Sequence, residues 1–142
     1  MSVENEQKRE DGAPSIIDAC EVGDLEAVKE LISADPDLVH ETSDTEDQPL
    51  HIACLQKHEL LVKELIEAGA DVNGLGDFHK TPLHYAVFEG DEYSTPIVKR
   101  LLEAGADPNL RDKRSDSTPL KWAQREHHEG LDESIALLKT HM

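Results

Sequence analysis

Thr81-Pro82-Leu83-His84-Tyr85-Ala86 decides the fold, because the chain repeats it. Gln48-Pro49-Leu50-His51-Ile52-Ala53 lies 33 residues earlier and Thr118-Pro119-Leu120-Lys121-Trp122-Ala123 lies 37 residues later, counted from proline to proline. A second phrase keeps the same step: Glu67-Ala68-Gly69-Ala70-Asp71-Val72-Asn73 returns as Glu103-Ala104-Gly105-Ala106-Asp107-Pro108-Asn109. Self-similarity at this kind of period marks a row of like units, each too small to hide its apolar side alone. Each opening also reads as a helix start. Proline sits where a first-turn N–H has no partner in any case, and Thr81 and Thr118 carry oxygens that cap that turn. Gln48 replaces threonine in the earliest copy and is expected to cap less well, at a cost of ~1 kcal/mol, leaving its loop the more mobile one. Gly69 and Gly105 end their helices in the left-handed conformation that glycine reaches cheaply.

These phrases resemble the ankyrin repeat, whose Thr-Pro-Leu-His opening and Gly-Ala-Asp-Val-Asn close they follow almost letter for letter, and the likeness runs over residues 15 to 139. It implies an all-α ankyrin-repeat solenoid of about four helix-turn-helix units with β-turn fingers, at 15–40, 41–73, 74–109 and 110–142. Residues 1–14 lack apolar periodicity and are expected to be a flexible polar tail. Ser15 is expected to cap the first helix, and Leu25, Val28, Leu31 and Ile32 form the apolar stripe of the second. In the third unit the segment between helices is three residues longer, with Thr95-Pro96 expected as the N-cap and first turn of the helix that follows. The last unit ends on Leu131, Ile135 and Leu138 without a closing phrase, as a capping repeat does.

With 142 residues and 4% aromatics, the chain has room for one domain whose core is built from Leu, Ile, Val and Ala. A net charge of -17 argues against direct contact with nucleic acid, which calls for clustered Lys and Arg. Fifteen acids against three bases fall in residues 1–47, and sixteen against eleven in 48–142, so the amino-terminal third is the acidic end. No apolar run reaches the ~20 residues of a membrane span, and Met1–Gly12 lacks the apolar core of a secretory signal. A cytoplasmic protein is expected, or a nuclear one in a eukaryote, monomeric on its own. Cys20 and Cys54 read as reduced core residues.

Catalytic and metal chemistry find little support. His51, Cys54 and His58 share one helical face at spacings of three and four, yet the repeat explains each: His51 is the opening histidine, Cys54 a small packing residue, and His58 the family's inter-helix histidine. His127-His128-Glu129 lacks two histidines four apart and reads as a solvated loop. No glycine-rich phosphate loop and no nucleophile paired with a base stands out, so no enzyme, metal or cofactor is expected. Asn73 and Asn109 resemble repeat asparagines that some ankyrin proteins carry hydroxylated.

The resemblance places a partner-binding face on positions the framework does not need, at the finger tips and late in each first helix. On this chain they are Asp44, Thr45, Asp47, Leu55 and Gln56, then Asp77, Phe78, Lys80, Phe88 and Glu89, then Lys113, Arg114, Ser117, Arg125 and Glu126. Phe78 and Phe88 are either anchors for a partner or fold back onto their own repeat; Tyr85 and Trp122 fall at a packing position. Glu41–Asp47 is acidic, the middle tip mixed, and the last tip holds Arg111, Lys113 and Arg114. Such a gradient suits a partner protein with a basic end at the first finger and an acidic end at the last. Two alternatives stay open: the acids serve solubility alone, or the chain is an acidic, chaperone-like binder that shields a basic protein.

Overall fold

The computed structural model describes residues 14–126 and 129–142. Among these are eight α-helices in four antiparallel pairs. They are α1 (Ile16–Val22) with α2 (Leu25–Ala34), α3 (Pro49–Leu55) with α4 (Glu59–Glu67), α5 (Pro82–Val87) with α6 (Ser94–Glu103), and α7 (Pro119–Glu126) with α8 (Asp132–Thr140). The odd-numbered helices stack in one row and the even-numbered in a second, so the core is a thin sheet of side chains between two helix layers. The expected tail, save Pro14, lies outside the described residues, as do His127 and His128.

Small residues set the spacing of the inner row. Ala53, Ala86 and Ala123, the last letter of each repeated phrase, are wholly buried where neighbouring short helices meet. Branched residues fill the second row, with Leu61, Val62 and Leu65 on α4 and Ile97, Val98 and Leu101 on α6 all buried. On α2 only Val28 is fully buried, while Leu25, Leu31 and Ile32 are half-covered, because α2 packs against α4 on one side only. Cys20 and Cys54 are free thiols in this core, and burial pushes Cys20 up to about 12 and raises Cys54 as well, which leaves both unreactive.

Caps start these helices where the letters place them. Ser15 Oγ accepts from Asp18 N (3.1 Å), Thr81 Oγ1 from His84 N (3.4 Å), and Thr118 Oγ1 from Lys121 N (3.3 Å). Gln48 makes no such bond, and its Oε1 is buried without a partner. Gly69 and Gly105 both stand at φ 98° with open space around the absent Cβ, so the backbone angle alone requires glycine there. Thr95 corrects one expectation: α6 starts at Ser94, whose Oγ accepts from Asp91 N (3.3 Å), and Thr95 instead bonds Ser134 Oγ across to α8 (3.0 Å).

Between the pairs, three turns project as fingers, each closed by one backbone bond: Ser43 N to Asp47 O (2.8 Å), Gly76 N to Lys80 O (2.9 Å), and Asp112 N to Ser117 O (3.0 Å). The third is one residue longer than the others. Buried histidines lock helices to fingers. His51 Nδ1 accepts from Gln48 N (2.9 Å) and His84 Nδ1 from Thr81 N (3.0 Å), which places the ring proton on Nε2. That proton is donated to Gly74 O (2.9 Å) and Ser117 O (2.8 Å), respectively, in the next unit.

Candidate functional site

The fingers interlock before they offer anything to solvent. Asp47, half-buried, accepts on one oxygen from Asp77 N (2.9 Å) and from the Tyr85 hydroxyl (2.7 Å), and on the other from Thr45 Oγ1 (3.0 Å). Lys113 N donates to Phe78 O (2.7 Å), which joins the second finger to the third. Asp47, placed by sequence among the partner-binding residues, is thus a tie between repeats. Ser117 is too: it is buried, and its carbonyl holds His84.

Lys80, Phe88, Arg114, Arg125 and Glu126, five of the residues expected on the binding face, line one cleft of about 610 Å³. Trp122, Asp112 and Ser115 complete its wall. Phe88, at the end of α5, is 38% exposed and lies 5.8 Å from the Trp122 ring, centroid to centroid. Phe78 stands beside the cleft, 47% exposed, with the Arg114 guanidinium 5.3 Å from its ring centre. Neither phenylalanine is folded away. Lys80 Nζ sits over the Tyr85 and Trp122 rings, 5.2 Å and 5.9 Å from their centres, and 3.8 Å from Asp77. Cations over aromatic faces are held in place at little desolvation cost.

The remaining expected residues do not join this cleft. Asp44 is exposed on the first finger, Leu55 is half-buried and Gln56 exposed at the end of α3, while Glu89 is exposed at the end of α5 and Lys113 on the third finger. Sequence reasoning assigned Trp122 to packing. The structure shows it half-buried: it packs against the core, makes a T-shaped contact with His84 (5.1 Å between ring centres), donates from Nε1 to Asp112 Oδ1 (3.2 Å), and also lines the cleft. The readable signal is its place on α7, since among the described residues no inner helix stacks beyond it.

Charges in the wall are set by their partners. Burial, the largest influence, pushes the Asp112 carboxyl up, but the donors on Ser115, Ser117 and Trp122 together outweigh it and hold the group near a pKa of about 2. Its charge is spent on the third finger. Burial lowers His84, and it lowers Lys57 behind the cleft, whose Nζ donates to the carbonyls of Leu55 (3.2 Å), Tyr85 (3.3 Å) and Phe88 (3.0 Å). That lysine ties the ends of α3 and α5, a role its place in an inter-helix turn did not announce.

Paired helices, projecting fingers and a histidine lock between units define a helical-repeat protein. A family model for ankyrin repeats, in three copies, matches residues 16–112, and the chain belongs to the ankyrin-repeat family. Its similar relatives include palmitoyltransferase AKR1 of Kluyveromyces lactis, 37% identical over 99 residues, which are 68% of this chain and 13% of that protein. Human palmitoyltransferase ZDHHC13 is 40% identical over 98 residues, 68% of this chain and 15% of the relative. The nuclear factor NF-kappa-B p105 subunit of Gallus gallus is 33% identical over 120 residues, 80% of this chain and 12% of its own. The chain therefore spans a small part of each, the ankyrin region. Ankyrin repeats mediate contacts between proteins, and the fold itself is non-catalytic. Among the described residues no helix is long and apolar enough to cross a membrane.

Proposed function

We propose that this chain is a non-catalytic interaction module, an adaptor, inhibitor or assembly factor that takes a partner protein on its finger face. The carrying observation is Phe78. It stands in the left-handed region at φ 53°, followed by His79 at 58°, a conformation that costs a non-glycine residue about 1 kcal/mol, and the arrangement leaves its ring outward. A turn evolved for stability alone would carry Asn or Gly there. Phe78, Phe88 and Trp122 together place three large rings, partly open to solvent, on one side of the molecule, as the centre of an interface requires.

Affinity capture from native lysate tests the reading. A partner retained by the wild-type chain and lost with Phe78→Ala and Phe88→Ala together supports it. Retention unaffected by that double change, but abolished between low and moderate salt, supports the charge-shielding alternative, in which exposed Glu41, Asp44 and Glu46 cover a basic protein.

A further inference from the structure

The cleft floored by Trp122 differs in charge from the rest of this acidic chain. Three cations, Lys80, Arg114 and Arg125, line it with two carboxylates, Asp112 and Glu126. Asp112 is 2% exposed and saturated by four donors, and one Glu126 oxygen accepts from Gly90 N (3.4 Å). Lys80 shares its charge with Asp77. Arg114 and Arg125 are exposed, and among the described residues neither belongs to an ion pair. Asp112 thus faces protein donors fully and Glu126 through one oxygen, while two guanidinium groups face solvent beside an indole and a phenyl ring.

We infer that this cleft binds an acidic peptide segment carrying one apolar side chain, the apolar group lying against Trp122 and Phe88 and flanking carboxylates pairing with Arg114 and Arg125. The inference rests on the finger-face reading and assigns that face its ligand chemistry. A chain with net charge -17 repels acidic segments at long range, so recognition needs a local reversal of sign together with apolar contact. Guanidinium groups supply the first, since their planar donors match carboxylates in pairs, and the rings supply the second. A basic segment would meet both arginines unpaired and would leave them desolvated against like charge.

Trp122 is the chain's only tryptophan, so its emission reports on the cleft without a label. The probe is the peptide acetyl-Asp-Glu-Asp-Leu-Phe-Asp-Glu-Asp-amide, beside a neutral version with Asn and Gln and a basic version with Lys and Arg. Expected is a saturable change in emission with the acidic peptide, weakened roughly tenfold by Arg114→Gln with Arg125→Gln, roughly tenfold for the neutral peptide, and progressively by salt. Both arginines are exposed, so the variant keeps the fold, and circular dichroism checks this. Overturning results are equal binding of the neutral peptide, tighter binding of the basic one, or no saturable change up to about 1 mM, the weak end of specific recognition. Partner capture separates this inference from its parent. A partner lost with the Phe78 and Phe88 changes but kept with both arginines replaced leaves the finger-face reading standing and removes the acidic ligand.

Discussion

Tyr85 and Trp122 hold the same place in successive repeats, three residues after the opening proline, and the structure uses them differently. Each makes a T-shaped contact with the histidine of the preceding unit, at 5.4 Å for His51 and Tyr85 and 5.1 Å for His84 and Trp122. Each gives its polar hydrogen to an aspartate, Tyr85 to Asp47 and Trp122 to Asp112. Tyr85 lies on α5 between α3 and α7 and is 6% exposed; Trp122 lies on α7, with an inner helix on one side only. One position is therefore sealed where described inner helices flank it on both sides and half-open where only one does, while its histidine and aspartate partners stay the same in kind.

The sharpest way to break that comparison is to truncate both rings. Tyr85→Ala empties a sealed site and removes one of the three donors to the Asp47 carboxylate, and a loss of about 3–4 kcal/mol is expected in denaturant melts. Trp122→Ala, half-covered, is expected to lose about half as much; equal losses would mean that the end position is core after all. Next in size is Lys57→Met, which removes the three carbonyl bonds tying α3 to α5, with an expected loss of about 2 kcal/mol and no change in the tryptophan emission maximum.

Acid should act on the histidine locks. Burial lowers His51 and His84 below the ordinary value of 6.5, so as pH falls through 6.5 the unfolded chain takes up protons that the folded one refuses. More protons bound in the unfolded state means that stability drops as pH falls. The denaturation midpoint is expected to decline between pH ~7 and ~5.5, and to decline less in His84→Gln measured against its own value at pH ~7. The smallest effect belongs to the first full opening: Gln48→Thr supplies the missing cap and removes a buried unpaired oxygen, for a gain of about 1 kcal/mol. A loss there would show that Gln48 packs better than its lone Oε1 implies.

Much of this molecule was legible as letters. The helix starts at Pro49, Pro82 and Pro119, the stops before Gly69 and Gly105, and the buried alanines follow from capping and periodicity, which act over a few residues. Phe78, Lys80, Phe88, Arg114 and Arg125 were legible as residues the framework leaves over. What sequence could not give was which of these meet. Asp47 and Ser117 looked free because their partners lie 30 or more residues away, at Asp77 and Tyr85 for one and His84 for the other. Trp122 looked buried because its letter position matches Tyr85, and its half-exposure depends on which helices flank α7, a property of stacking. Thr95 looked like a cap because its true partner, Ser134, sits on another repeat.

Quenching of the single tryptophan by paired ions tests the central claim most directly. If Trp122 lies in an open cleft whose facing charges are Arg114 and Arg125, iodide quenching relative to that of free N-acetyltryptophanamide exceeds caesium quenching on the same scale despite the net charge of -17, and exchanging both arginines for glutamine lowers the iodide-to-caesium ratio. Quenching by neither ion, or caesium ahead of iodide on that relative scale in the wild-type chain, would contradict it.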